Sequence, residues 1–272
     1  MKNLKKTLCL LLAVLMTVSL LAGCGSKKDD KDNTDGKKVL TVGIDAEYPP
    51  FSYLGDDGNY TGFDIEIAQA VCDQLGWEMK VFPVNWDQKL VQLDAKECDC
   101  IWSGMTILDS MKEAGYTLSA PYYDNTQVIM VKEGSDIKSS ADLAGKVVAV
   151  QQGTSGDTLL SEGGDLESLT ATFKSLVRCD SFLKCFTELS GGAVDAVIVD
   201  KPVATSYAEK NAGFTVLGEE LGAEQYGIAF RAADKELCQT IEGAVKTLVD
   251  NGTYAKIAEK YPDVVNNLLF LN

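Results

Sequence analysis

The stretch VLTVGIDAEYPPFSYLGDDGNYTGFDIEIAQAVCDQLG, Val39 to Gly76, decides the fold. Its first six residues, VLTVGI, predict a short strand (39–44). Gly62-Phe63-Asp64 opens a helix, with Asp64 placed to cap it and Glu66 in a first turn whose dipole favours an acid. Ile67, Val71 and Leu75 recur at i, i+4, i+8, so one face belongs to the core, and Gly76 stops the helix. A strand at 78–82, a helix at 87–95 and a strand near 100–102 follow. The order is β-α-β-α-β, the pattern of a parallel sheet with helices on its faces.

A second series begins after Thr126, with strands at 127–132, 147–150, 171–173, 195–200 and 214–217. Helices are expected at 140–144, from Ser155, at 182–189 and at 202–210. Two apolar-striped helices close the chain. Extended segments at 125–132 and 225–231 bracket the middle block, as a discontinuous first lobe would require. The expected division is 39–125 with 222–272 as lobe 1 and 126–221 as lobe 2.

Upstream, MKNLKKTLCLLLAVLMTVSLLAGC has a basic start, a short apolar run and small residues before Cys24. This is the layout of a signal peptide over 1–23, and its ending resembles a lipoprotein cleavage site, with Cys24 as the lipidated residue. Residues 25–38 are polar and charged, a flexible linker. These features place the protein outside the cytoplasm, anchored by lipid to the outer face of a bacterial cell membrane.

The 272-residue chain has no histidine, which excludes Ser-His-Asp and Cys-His nucleophiles and histidine metal ligands. Loss of residues 1–23 with their three lysines would leave 22 basic and 40 acidic residues, net −18, which argues against nucleic-acid binding. Six further cysteines, at 72, 98, 100, 179, 185 and 238, allow 15 pairings among which spacing cannot choose.

The loop GIDAEYPPF lies at the carboxyl end of the first strand, where ligands sit in open α/β sheets. With NWDQKLVQLDAKECDCIWSGMTI, LSAPYY, QQGTSG, VDAVIVDKPVA and YGIAF, in that order, it resembles the family-3 solute-binding proteins of ABC importers, over roughly 39–262. The resemblance implies an α/β, type II periplasmic-binding-protein-like fold: two parallel-sheet lobes joined by two crossover strands, closing on a small polar solute. It implies aromatic walls from Tyr48, Phe51 and Trp86, and hydrogen bonds from Ser103, Gly104 and Thr106. Gln152, Thr154 and Ser155 would stand at the start of a helix that offers N–H groups to a carboxylate. Asp200 would pair with the ligand's ammonium, and Asp45 or Glu47 would read a side-chain amine. No cofactor or metal is implied; the partners would be ABC permease subunits, and the protein a monomer.

The chain departs from the family at one point. An arginine that grips the α-carboxylate is missing, and only Arg178 and Arg231 occur anywhere. Counting forward from Thr106 lands on Met111; counting back from LSAPYY lands on Lys112. Lys112 is therefore the candidate replacement, without the planar fork of a guanidinium. Three ligands stay open: an amino acid, an amino-acid derivative, or a cationic solute with no carboxylate. A dehydratase-type enzyme on the same scaffold, using Glu47 and Lys112, is the competing class.

Overall fold

The computed structural model describes residues 36–270, so the signal peptide, Cys24 and most of the linker lie outside the described residues. From Lys38 onward the described residues form one compact unit. The large sheet contains β1 (Val39–Ile44), β5 (Glu78–Pro83), β6 (Cys100–Thr106), β7 (Thr117–Leu118), β8 (Tyr123–Lys132), β9 (Val147–Gln151), β10 (Ser175–Cys179), β11 (Ala196–Asp200) and β12 (Phe214–Phe230). A small sheet holds β2 (Glu47–Tyr48), β3 (Ser52–Leu54) and β4 (Tyr60–Thr61).

The strand order is β10-β9-β11-β8-β12-β6-β1-β5, with β7 alongside β12. Each end is parallel: β1 with β5 and β6, and β9 with β10 and β11. The middle is antiparallel, where β8 and β12 pair with each other and link the two ends. One continuous sheet therefore runs through both parallel halves. The buried strands read as near-continuous apolar runs, as expected where helices cover both faces.

Local chemistry explains the elements. The Phe63–Leu75 helix buries Ile67, Ala68 and Val71, and ends at Gly76 in the left-handed conformation, with Trp77 N–H donating to the Cys72 carbonyl. Full burial of each large apolar side chain contributes roughly 1.5–3 kcal/mol. The Lys235–Asp250 helix packs against it through Ile241, Val245 and Leu248, with Tyr254 and Tyr261 filling the gap. On the other face Trp86, Leu93, Ile101, Met105 and Ala229 form a second cluster.

Several expectations need correction. Asp64 does not cap the first helix: its side chain turns inward and is fully buried. Residues 171–173 form a turn, held by Thr172 Oγ1 donating to the Leu169 carbonyl, and the strand begins at Ser175. Residues 140–143 make a 3₁₀ turn instead of a helix, closed by reciprocal Ser139–Asp142 bonds. The expected strand at 214–217 continues unbroken to Phe230. All six described cysteines are buried, free thiols.

Candidate functional site

A cavity of about 30 Å³ lies at the carboxyl ends of β1, β6, β9 and β11. Asp45, Tyr48, Trp86, Lys89, Gly104, Thr106, Met111, Gln151, Thr154, Ser155 and Asp200 are among the residues that line it. That volume is small for a solute, and contacts across the cleft narrow it in this conformation.

One pole is acidic. Asp200 ends β11 and stands at the cap position of the Lys201–Lys210 helix, yet makes no capping bond. Its Oδ1 instead accepts from Asn125 Nδ2 (2.7 Å), Gln127 Nε2 (2.7 Å) and Tyr226 Oη (2.9 Å). The same two amides also donate to Glu224 Oε1. Burial, then the neighbouring Glu224 carboxylate, hold Asp200 well above the usual carboxylate range. The other atoms of those amides, Asn125 Oδ1 and Gln127 Oε1, are buried and accept no bond among the described residues. A buried carboxylate beside a half-buried one, with spare amide oxygens, is a receptor for a cation rich in N–H groups.

Tyr48 continues this pole. Its hydroxyl lies 2.8 Å from that of Tyr226, which donates to Asp200. Phe51 stacks on Tyr48 with ring centroids 5.6 Å apart. Gly104 faces the Tyr48 ring at a φ of +51°, and an added Cβ would stand 2.4 Å from a Tyr48 ring carbon. Gly104→Ala therefore combines strained backbone with overpacking and should cost about 3 kcal/mol. A urea midpoint matching wild type would show that the ring simply moves aside.

The other pole is basic. Lys89 Nζ donates to the carbonyls of Trp86 (3.1 Å) and Gly153 (2.7 Å) and lies 4.7 Å from the Trp86 ring centroid. Desolvation draws its pKa down to about 8, against the opposing pull of Asp87 and Asp45. Beside it, Gln151 Nε2 donates to Asp45 Oδ2 at 2.7 Å. Burial raises Asp45, and that bond holds it partly in check. The Lys89–Gly153 and Asp45–Gln151 contacts bridge segments 64 and 106 residues apart and fasten the cleft shut.

The sequence expectations sort as follows. Asp45, Tyr48, Trp86, Gly104, Thr106, Thr154, Ser155 and Asp200 come together around the cavity. Phe51 is buried behind Tyr48 instead of at the cavity wall. Ser103 is fully buried and accepts from Asp45 N–H at 3.0 Å, so its hydroxyl positions the loop. Gln152 is one residue out of phase, and Gln151 faces the site. Thr154 accepts from Asp157 N–H as a helix cap, and the Ser155–Leu160 helix has only six residues. Glu47 points to a different surface, beside Pro49 and Tyr53. Lys112 is also displaced: it is 57% exposed and pairs with Asp109 at 2.8 Å. Met111, on which the forward count lands, lines the cavity.

Sequence reasoning did not select Lys89, Asn125, Gln127, Gln151, Glu224 or Tyr226. Lys89, Gln151 and Tyr226 lie inside the motifs that carry the family resemblance, Lys89 one helical turn after Trp86.

The comparisons agree with this geometry. Residues 40–263 match the model of the bacterial extracellular solute-binding proteins, family 3. The chain is 32% identical to the L-cystine-binding protein TcyJ of Escherichia coli, over 91% of this chain and 92% of that one. It is 34% identical to the arginine-binding extracellular protein ArtP of Bacillus subtilis, over 94% and 98%. The solved structure of an ancestral arginine-binding protein bound to glutamine superposes with a TM-score of 0.76 at 35% identity, covering 84% of this chain and 99% of that one. A type II periplasmic-binding-protein fold, a cleft at the strand ends and this family match lead to one conclusion: the chain belongs to the family-3 bacterial extracellular solute-binding proteins.

Proposed function

We propose that this protein is the lipid-anchored, extracytoplasmic binding component of an ABC importer, and that it clasps an amino acid or a close derivative. The observation that carries the reading is the buried Asp200 carboxylate beside the half-buried Glu224, both held by the amides of Asn125 and Gln127. It suits an ammonium group. Relatives that bind arginine, cystine and histidine support the same solute class. The anchor rests on the sequence around Cys24, and delivery to a permease rests on the family.

The two lobes would be 39–125 with 222–272, and 126–221, with β8 and β12 as the strands between them. Opening would bend this central pair, whose register breaks between Val216 and Gly222. The dehydratase reading loses support, because Glu47 and Lys112 both lie away from the cavity. A thermal-shift screen of the twenty amino acids, cystine, polyamines and choline-like cations tests the proposal. A ligand present at about a hundred times its Kd should stabilise the protein by roughly 2.7 kcal/mol. A screen in which no amine-bearing solute raises Tm would defeat it.

A further inference from the structure

Lys89 is the only basic residue among those lining the cavity. Asp200 lines the same cavity, and Met105, Leu108 and Met111 give it apolar surface. Met111 fills the position where the family's carboxylate-gripping arginine was expected, and Lys112 is turned out to solvent. The cavity thus retains a cation, but one supplied by the turn after Trp86. Two ammonium protons of Lys89 are committed to the Trp86 and Gly153 carbonyls, which leaves one for a further acceptor. Carbonyl partners donate nothing and carry no full charge, so an incoming carboxylate is the stronger partner. Burial strengthens that attraction by excluding water, while Asp87 and Asp45 nearby are the charges an incoming carboxylate must outcompete.

We infer that Lys89 is the residue that reads the ligand's carboxylate, a specificity determinant displaced from the usual arginine position. With it the cavity has a cationic and an anionic pole, matching the two charges of an amino-acid zwitterion. This selects free amino acids over their decarboxylated amines and over esters or amides. It also gives ligand-dependent closure a cause: the carboxylate would bind an ammonium that already bridges to Gly153 across the cleft. The inference rests on the amino-acid reading of the cleft given above.

Calorimetric titration of the wild type, Lys89→Met, Lys89→Arg and Asp200→Asn proteins tests it. The probes are L-arginine against agmatine and L-cystine against cystamine, with each other amino acid that raises Tm set against its own amine. Wild type is expected to favour the acid at least tenfold. Lys89→Met should weaken the acid about a hundredfold and change the amine less than threefold, erasing the preference. Lys89→Arg should restore it. A Lys89→Met protein that keeps the preference, or a wild type that binds acid and amine alike, would overturn the role of Lys89. In either case Asp200→Asn would still lose both ligands, so the amino-acid reading would survive. If Asp200→Asn binds both normally, or no probe binds wild type, the underlying reading fails and Lys89 falls with it.

Discussion

Asp200→Asn should reduce amino-acid affinity by about a hundredfold or more while raising the melting temperature of the unliganded protein. The first effect follows from the desolvated cleft: truncating one partner of a buried charge pair costs about 2–5 kcal/mol. The second follows from the unliganded state, in which Asp200 and Glu224 compete for the same two amide donors. Asp200 has its pKa raised in the fold by burial and by Glu224. A raised carboxylate contributes stability below its unfolded value near 4, and loses it as pH rises through the folded value. At neutral pH the wild type therefore carries a penalty that asparagine lacks. Calorimetry and thermal melts on the same two samples decide the matter. Unchanged affinity together with a lower Tm would make Asp200 a scaffold residue instead of a ligand partner.

Asp64 should contribute strongly to the pH dependence of stability. It is fully buried, and its Oδ2 accepts from Gly104 N–H (2.7 Å) and Tyr122 Oη (2.7 Å). Burial lifts its pKa to about 7, with those two bonds acting in the opposite direction. The folded protein holds this proton across pH 4–7 and the unfolded chain does not. Its contribution to stability is thus full below pH 4 and declines by roughly 4 kcal/mol as pH rises through 7. Asp45 and Asp200 are shifted in the same direction and add to the slope. Asp64→Asn keeps an oxygen for both donors and carries no charge. It should match wild type near pH 4 and exceed it by roughly 4 kcal/mol at pH 8. Asp64→Ala, which strips both donors of their acceptor, should destabilise at every pH. Urea unfolding at pH 4, 6 and 8 checks this; parallel curves for wild type and Asp64→Asn would reject the assignment.

What could be read from the chain depended on the range of the signal. The apolar spacing of Ile67, Val71 and Leu75 is local, and it located a helix and its buried face. Tyr48, Thr154 and Asp200 were reached through the family resemblance, and each stands at or shortly after the carboxyl end of a parallel strand. Lys89 was not. In NWDQKLVQLD it looks like one more surface lysine, and only Gly153, 64 residues later, encloses its ammonium. Glu224, Asn125 and Gln127 lie on the two central strands, where a polar residue reads as solvent-facing until the pairing of β8 with β12 is known. The Gln151–Gln152 and Met111–Lys112 choices were questions of phase, which one residue of uncertainty reverses.

The central position of β12 also bears on how the chain is made. β6 reads CIWSGMT and is buried along nearly its whole length. Its outer edge is covered by β12, which begins at Phe214, more than a hundred residues after β6 ends. A chain emerging amino terminus first therefore carries an uncapped apolar strand edge until most of the protein has been released. Such an edge is a template for pairing with another chain. The second parallel block, β9 to β11, can assemble on β8 in the meantime, so the first block to be synthesised is the last to be sealed. Aggregation during secretion would thus begin at β6, and a charged substitution there would trade the core of the finished protein for a safer passage.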